Sequence, residues 1–316
     1  MNKIANKKYD IPIIVILGPT ASGKTSLAIN IAKKYSGEII SCDSMQIYKD
    51  MNIGTAKPSL EEMQDIPHHL INEFPISEYI DVFKYISLME SKICEISKRG
   101  NLPIIAGGSG MYARSLLYGL DTLPGDKKLR KELDEKYDNP ESFKELKKLM
   151  QKIDPEDFNR WEKHQRKLIR ALEVFKLTGK SITELQTLHK PVLRYPAKVF
   201  SLNWDREILK ERIKLRTSQM LENGWIEETE KLIEEGIFET PTAWQVLGYS
   251  IINEHLQGKI SYEETAAKIA TKTWQYARKQ LTWFNGKHPE AEKLIMPMEI
   301  SEIYQKINFN CLNNQE

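Results

Sequence analysis

The stretch Ile11-Pro-Ile-Ile-Val-Ile-Leu-Gly-Pro-Thr-Ala-Ser-Gly-Lys-Thr25 decides the fold. Its first half, Ile11–Leu17, is a continuous apolar run rich in β-branched residues, which is typical of a strand buried on both faces of a parallel sheet. Its second half, Gly18–Thr25, has the P-loop pattern of Gly, four residues and then Gly-Lys-Thr. A helix is predicted from Thr25 to Tyr35, so the loop stands between strand and helix, the context in which this motif binds phosphate.

The chemistry of this loop follows from its backbone and two side chains. Glycines let successive N–H groups turn inward as an anion-binding nest, and the following helix adds positive potential. Lys24 supplies a point charge to phosphate oxygens, and the Thr25 hydroxyl is placed to ligate Mg²⁺. The predicted diphosphate- or nucleotide-binding residues are Gly18, Pro19, Thr20, Ala21, Ser22, Gly23, Lys24 and Thr25.

Strand-like and helix-like segments alternate outward from the loop. Short apolar runs at Glu38–Cys42, Leu102–Ala106 and Lys198–Asn203 predict three more strands, with helical spacing between them. Residues 124–191 are rich in Lys, Glu and Leu and show helical periodicity without a strand signal. We therefore predict an α/β fold, with a P-loop NTPase-like parallel sheet core at 10–123 and 192–316 and an α-helical insertion domain at 124–191.

Composition excludes several classes of protein. The 316 residues are 41% hydrophobic and 28% charged, as in globular proteins. Apolar runs are too short to span a bilayer, which takes roughly 18–20 residues, so a transmembrane protein is excluded. Three separated cysteines (Cys42, Cys94 and Cys311) suit neither a disulfide framework nor a zinc site, and predict a reducing cytoplasm. The net charge is only +2, so a nucleic-acid partner would have to bind local basic patches.

An acid and a glycine-rich turn follow two of the predicted strands. Asp43 comes after the second strand, and because parallel strands end at one edge, we expect it beside the P-loop. There it could hold Mg²⁺ indirectly or act as a general base; the alternative is a turn or cap residue. The third strand ends in Gly107-Gly108, where a nucleotide-hydrolysing P-loop protein usually has an acid. Ser109 follows and offers a hydroxyl.

Two basic stretches stand out from the nearly neutral total. Arg160–Arg170 has five Lys or Arg and one acid, and the segment between Glu264 and Glu290 has five Lys or Arg with interleaved aromatic residues. This composition suits RNA, since cations contact phosphates and aromatic faces stack on bases; the alternative is a solvated helix face with the aromatics in the core. Arg212 and Arg216 lie one helical turn apart, so both can face the P-loop edge. His68-His69 is interpreted as structural or substrate-adjacent, without ligands for a metal.

Taken together, these segments resemble the bacterial type of tRNA dimethylallyltransferases, also called tRNA isopentenyltransferases. The resemblance extends from about Ile13 to Phe284, and Gly-Thr-Ala-Lys-Pro after Asp-Ser-X-Gln makes it specific. Besides the P-loop, the matching segments are Ser41-Cys-Asp-Ser-Met-Gln-Ile-Tyr-Lys49, Met51-Asn-Ile-Gly-Thr-Ala-Lys-Pro58, Pro67-His-His-Leu70, Gly107-Gly-Ser-Gly-Met-Tyr112, Arg166-Lys-Leu-Ile-Arg-Ala-Leu-Glu173, Gly248-Tyr249 and Tyr276-Ala-Arg-Lys-Gln-Leu-Thr-Trp-Phe284.

The resemblance implies a reaction, its partners and a cofactor. A dimethylallyl group would pass from dimethylallyl diphosphate to N6 of the adenosine 3′-adjacent to the anticodon, in tRNAs that read codons beginning with U. The products would be N6-(dimethylallyl)adenosine and diphosphate. Mg²⁺ would be the cofactor, and the helical insertion would grip the anticodon stem-loop of the tRNA. A monomeric cytoplasmic enzyme without a membrane partner is adequate for this reaction.

The resemblance also implies roles for individual residues. Asp43 would accept the proton of the adenine amine, and Arg216 would stabilise the leaving diphosphate. Ser109, which stands where the family usually has Thr, would be a third catalytic residue near the diphosphate and the attacking amine. The implied tRNA-binding residues are Asp43, Ser44, Met45, Gln46, Ser109, Arg166, Lys167, Leu168, Ile169 and Arg170. Met45 and Lys167 depart from residues that are frequent in the family, Arg in the case of Lys167. Two alternatives are a small-molecule kinase with a helical lid and a non-enzymatic RNA-binding regulator.

Overall fold

The computed structural model describes residues 7–120, 123–187 and 192–307. The chain divides into two compact units, one made of Lys7–Gly119 and the chain from Leu193 onward, the other containing Leu120–Val192. The second segment contains the predicted insertion at 124–191, whose assignment as an RNA-gripping domain stays a prediction. No helix within the described ranges is both long and apolar enough to cross a bilayer.

A six-stranded parallel sheet forms the centre of the first unit, in the order β3-β2-β4-β1-β5-β6. The central strand β1 is completely buried, as its unbroken apolar run predicts. The strands are β1 (Ile13–Leu17), β2 (Gly37–Ser41), β3 (His68–His69), β4 (Leu102–Gly107), β5 (Ala197–Trp204) and β6 (Glu292–Met296). The α/β fold class with a parallel sheet is therefore confirmed.

Helices within the described ranges connect and cover these strands. They are α1 (Lys24–Tyr35), α2 (Leu60–Met63), α3 (Val82–Lys98), α4 (Gly110–Tyr118), α5 (Lys127–Lys136), α6 (Pro140–Ile153), α7 (Pro155–Trp161), α8 (Gln165–Thr178), α9 (Ile182–Thr187), α10 (Arg206–Met220), α11 (Ile226–Glu234), α12 (Tyr249–Leu256), α13 (Tyr262–Lys287) and α14 (Ile300–Lys306). A five-residue π-turn at Leu221–Trp225 joins α10 to α11. Apolar side chains of α1 and α14 pack on one face of the sheet and form its core.

Two strands of the sheet carry no clear sequence signal. The second, third and fourth predicted strands lie within one residue of β2, β4 and β5 at each end. However, β3 has only two residues, and β6 buries only Leu294 of its five side chains. The sheet therefore does not end with the fourth predicted strand, because β6 pairs in parallel with β5 beyond it.

Near the amino end of β2, the sheet is tied together by one buried carboxylate. Glu38 accepts two hydrogen bonds from Arg99, at 3.0 and 2.7 Å, and one from Asn101 Nδ2 at 2.8 Å. His69 Nε2 lies 2.7 Å from the same side chain, which gives that histidine a structural contact. The bonds from Arg99 hold the pKa of Glu38 at about 2, so the carboxylate stays ionised.

Helices α5 to α9 form the second unit around a hydrophobic core of their own. Glu173 of α8 is almost completely buried and accepts hydrogen bonds from Arg130, from the backbone N–H of Asp126 at 2.9 Å and from Arg170 at 2.7 Å. A buried carboxylate needs such partners, and these contacts fix α8 against the start of α5.

Candidate active site

A cavity of about 1490 Å³ lies where the P-loop, the residues after β2, and helices α10 and α13 come together. Its lining includes the P-loop from Thr20 to Thr25, the segment Asp43–Gln46, and both Arg212 and Arg216. The first unit alone supplies these residues. In parallel α/β folds ligands bind at the carboxyl ends of the strands, and this is where β1 and β2 lead.

The P-loop has the backbone conformation of an anion-binding nest. Ala21 and Gly23 both have positive φ, 63° and 87°, so the chain reverses between β1 and α1. Lys24 Nζ donates a 2.7 Å hydrogen bond to the carbonyl oxygen of Pro19 across the loop. Burial, aided by the nearby charge of Arg216, lowers the pKa of Lys24 to about 7, while Asp43 opposes the shift. An anionic ligand here would therefore favour the protonated form of Lys24.

Side chains from β5 and α10 brace the loop. Arg212 Nε donates to the carbonyl of Ala21 at 2.8 Å, and its guanidinium lies 4.4 Å from the centroid of the Trp204 ring. Trp204 Nε1 in turn donates to Ser22 O at 2.9 Å. Arg216 Nη1 donates to the Thr20 hydroxyl at 3.1 Å, so both arginines face the P-loop as their spacing predicts. Arg216 thus places a fixed positive charge where a phosphate group would bind.

Gln280 of α13 is a bridging residue that sequence reasoning missed. Its Oε1 accepts from the backbone N–H of Thr20 at 3.0 Å, and its Nε2 donates to the carbonyl of Gly108 at 3.0 Å. The side chain is buried, and the bridge holds the P-loop and the β4–α4 turn at a set distance. Within the aromatic basic stretch, the sequence offered no signal that separates this glutamine from its neighbours.

Asp43 is both a turn residue and a cavity residue. Its Oδ1 accepts from the backbone N–H of Met45 at 3.0 Å, as the alternative interpretation predicts, and the residue also lines the cavity. The Tyr85 hydroxyl donates to the carbonyls of Ser41 and Asp43 and fixes the backbone there. Asp43 also affects the pKa of Lys24 and of Arg216, so the acid and both cations share one electrostatic environment.

Gly107 and Gly108, at the end of β4, pack closely against other parts of the same chain. A Cβ on Gly107 would lie 2.0 Å from the carbonyl oxygen of Cys42, and one on Gly108 would lie 2.4 Å from Gln280 Nε2. The close approach that these glycines permit is therefore between protein atoms. Ser109 follows, and its Oγ accepts from the backbone N–H of Ser44 at 3.3 Å, which ties this turn to the residues after Asp43.

Ser109 is not among the residues that line the cavity, whereas the neighbouring predicted base contacts are. Ser44, Met45 and Gln46 line it and are half-buried. The Gln46 amide is held on both sides, because Oε1 accepts from the Ser41 hydroxyl at 2.8 Å and Nε2 donates to the carbonyls of Thr55 and Ala56, both at 3.2 Å. Its orientation is therefore set by the protein before any ligand binds.

The basic segment of α8 presents only part of its predicted surface. Leu168 and Ile169 are buried in the core of the second unit, so their side chains do not face a nucleic acid. Arg170 binds Glu173 and the carbonyls of Leu123 and Pro124. Arg166 and Lys167 are exposed. Only two of the five predicted residues therefore have exposed side chains, because a helix turns part of any contiguous segment toward its core, and their contact with tRNA stays a prediction.

The aromatic basic stretch corresponds to α13 and is divided in the same way. Tyr276, Lys272 and Lys279 line the cavity, whereas Phe284 is buried. Part of this stretch therefore lies at the cavity and part lies in the core, and RNA binding by the first part stays a prediction.

Oxygen ligands for Mg²⁺ are present, although few. Thr25 and Asp43 line the same cavity with a hydroxyl and a carboxylate, the hard oxygen donors that Mg²⁺ prefers. No group of three His, Cys, Asp or Glu side chains suited to a metal occurs in the part of the chain that the structure describes. These residues fit a Mg²⁺ ion that takes its other ligands from water and a substrate diphosphate, the usual arrangement for this cation.

Fold and site together define a P-loop enzyme that holds a phosphate-bearing substrate opposite a carboxylate. A family model described as "IPP transferase" matches residues 46–287. The tRNA dimethylallyltransferase of Thermoanaerobacter sp. (strain X514) is 42% identical over 288 residues, covering 87% of this chain and 89% of that protein. That of Bacillus velezensis is 37% identical, covering 97% and 98%. This chain belongs to the IPP transferase family.

Solved structures agree with this assignment. The full-length tRNA isopentenylpyrophosphate transferase of Bacillus halodurans superposes with a TM-score of 0.71 at 34% identity, covering 96% of this chain and 97% of that one. A eukaryotic dimethylallyltransferase acting on tRNA gives a TM-score of 0.76 at 28% identity, covering 90% and 74%. The resemblance inferred from the sequence motifs is confirmed.

Proposed function

We infer that this protein is a tRNA dimethylallyltransferase. It transfers the dimethylallyl group of dimethylallyl diphosphate to N6 of the adenosine 3′-adjacent to the anticodon, in tRNAs that read codons beginning with U. The observation that carries this inference is one cavity in which a P-loop with Lys24 and Arg216 lies within the electrostatic range of Asp43. A nucleophile and a diphosphate leaving group need these two kinds of residue at close range.

The P-loop side of the cavity drives departure of the leaving group. The allylic C–O bond of the substrate breaks as negative charge develops on the diphosphate. Lys24, Arg216 and the loop amides stabilise that charge, and because Arg212, Trp204 and Gln280 hold the loop in place, little reorganisation is needed as it forms.

Asp43 acts on the other reactant. The lone pair of adenine N6 is delocalised into the ring, so the amine is a weak nucleophile until its proton can leave. As the new N6–C bond forms, the carboxylate of Asp43 accepts that proton, and diphosphate carries away the bonding electrons of the broken C–O bond. The base must leave its stack to reach Asp43, at a cost of a few kcal/mol that contacts elsewhere on the tRNA offset.

The remaining partners follow from charge and chemistry. Exposed Arg166 and Lys167 suit the phosphates of an anticodon stem-loop, and this supports assigning the helical insertion to tRNA binding. Mg²⁺ held by Thr25 would add positive charge to the diphosphate when bound. A monomer acting in the cytoplasm, where tRNA is found, is sufficient for one stem-loop and one diphosphate.

The test is direct transfer. Purified protein is incubated with Mg²⁺, dimethylallyl diphosphate and an anticodon stem-loop with A 3′ of the anticodon, and the digested RNA is analysed by mass spectrometry. We expect one added C5H8 unit on adenosine, dependent on the diphosphate and lost in Asp43→Ala. Steady ATP consumption without RNA modification, over several tRNAs, would replace this proposal with a kinase.

A further inference from the structure

The segment Met51–Pro58 forms a wall of the cavity that the mechanism above does not use. It lies between β2 and α2 in the sequence, and its residues from Asn52 to Pro58 all line the cavity. Within it, Ala56 has a positive φ of 48°, a conformation that a residue with a Cβ keeps only when its surroundings enforce it. The backbone N–H of Ala56 donates to the carbonyl of Ile53 at 2.8 Å, and its own carbonyl accepts from Gln46 Nε2 at 3.2 Å.

Glu228 of α11 is the main anchor of this segment. Its Oε2 accepts from the backbone N–H groups of Asn52 and Ile53 at 2.8 and 2.7 Å, and its Oε1 accepts from that of Gly54 at 2.9 Å. Three successive N–H groups that converge on one carboxylate form the same kind of nest that binds an anionic ligand. Here the anion belongs to the protein.

Tyr249 orients the anchor. Its hydroxyl donates to Glu228 Oε1 at 2.8 Å, so the four acceptor sites of the carboxylate meet four donors. Burial and the charge of Glu228 raise the pKa of Tyr249, which keeps the phenol a donor at neutral pH. The fit is tight, because a Cβ on Gly54 would lie 2.5 Å from both the Tyr249 hydroxyl and Trp225 Nε1.

The anchored segment in turn sets Gln46. The Gln46 amide donates to Thr55 O and Ala56 O, the residues directly after the three anchored N–H groups. Lys57 Nζ also ties the segment to Asn72 Oδ1 at 2.6 Å and to the carbonyl of Tyr48. A continuous path of hydrogen bonds therefore connects Glu228 to a side chain that lines the cavity near Asp43 but makes no bond to the P-loop.

We propose that Glu228, oriented by Tyr249, is a positioning residue that shapes the nucleobase side of the cavity through Met51–Pro58 and Gln46, without contributing to diphosphate binding. The proposal rests on the tRNA dimethylallyl transfer inferred above. It assigns the two substrates to different supports. The P-loop, braced by Arg212 and Gln280, receives the diphosphate, and the segment held by Glu228 receives the base.

The test is Glu228→Gln, which keeps size but replaces one oxygen with a donor that meets N–H donors. We expect the KM for the stem-loop to rise about tenfold or more while the KM for dimethylallyl diphosphate stays within about twofold of wild type. Tyr249→Phe, which removes a single hydrogen bond, should shift the same constant by a smaller factor. Glu230→Gln, an exposed acid on the same helix, is the matched control and should leave both constants unchanged.

A binding measurement separates positioning from general damage. Affinity is measured for two stem-loops that differ only in carrying adenine or an abasic site at the modified position. Wild type should prefer adenine, and Glu228→Gln should narrow this ratio about tenfold with unchanged affinity for the abasic RNA. An unchanged ratio, or equal losses for both RNAs and for dimethylallyl diphosphate, overturns the proposal. Wild-type protein that transfers nothing would instead overturn the proposed function.

Discussion

The P-loop of the cavity and the basic segment of helix α8 were both predicted, from contiguous stretches of sequence, to bind ligands. They differ in how many residues of each stretch can contact a ligand. In the P-loop the predicted ligand contacts are mostly backbone N–H groups, and the loop has the positive φ values of an anion-binding nest at Ala21 and Gly23. In α8 only side chains can reach a ligand, and two of the five predicted residues, Leu168 and Ile169, are in the core. A contiguous sequence motif therefore predicts a contact for each of its residues only where the main chain makes the contacts.

The largest effect we expect is on the rate of transfer in a variant of Asp43, because the proposed proton acceptor is this single side chain. Asp43→Asn keeps the shape and removes the base, so single-turnover transfer should slow by about 100- to 10,000-fold, the usual contribution of general base catalysis. Stem-loop affinity should change little. Asp10→Asn, an exposed acid in the same unit, serves as control. Transfer at near-wild-type rate in Asp43→Asn would remove the carboxylate from the mechanism.

Leu168→Ala tests the buried face of α8. The side chain is fully buried among the helices of the second unit, so its truncation should lower the free energy of unfolding of that unit by about 2–5 kcal/mol. Urea unfolding followed by a probe in this unit measures the loss. RNA affinity, measured well below the unfolding midpoint, should keep its salt dependence. A weakened salt dependence with normal stability would mean that Leu168 faces RNA after all.

Lys24 gives the cavity a pH-dependent affinity for anions. Its pKa is about 7 in the free protein, lowered from 10.5, and bound diphosphate must raise it by favouring the charged form. Above pH 7, Lys24 therefore takes up a proton when inorganic diphosphate binds, and the affinity for diphosphate falls by up to about tenfold per pH unit. Below pH 7, Lys24 is already protonated and contributes no proton uptake. Calorimetry at pH 8 in two buffers measures the uptake. Lys24→Arg, which stays charged, should lose this contribution, and equal uptake by both proteins would contradict it.

The smallest effect should come from Arg166 on the exposed face of α8. Arg166→Ala removes one phosphate contact, so the slope of log affinity against log salt concentration should decrease in magnitude by about 0.7–0.9. Arg170→Ala changes the charge equally but breaks contacts with Glu173 and two carbonyls, and should affect stability instead. If both variants reduce the slope alike, the division of α8 into inner and outer residues is wrong.

Sequence reasoning succeeded where the signal is local. Strand β1, the P-loop and the position of Asp43 after β2 all follow from neighbouring residues and from the rule that parallel strands end at one edge. It missed Gln280 and Glu228, since these residues act on Thr20 and Gly54 from 260 and 174 positions away. It also missed β3 and β6, which lie at the sheet edges and have too few buried residues to form a pattern.

The Glu38 cluster shows where this enzyme could be engineered without affecting its chemistry. Its partners Arg99 and Asn101 are absent from the cavity lining, and they tie β2 to the chain entering β4 near the end of the sheet opposite to Asp43. Substitutions that enlarge this cluster would raise resistance to heat, and those that disrupt it would lower it, with kcat unchanged in either case. A variant library restricted to this end of the sheet could therefore be selected for thermal stability alone.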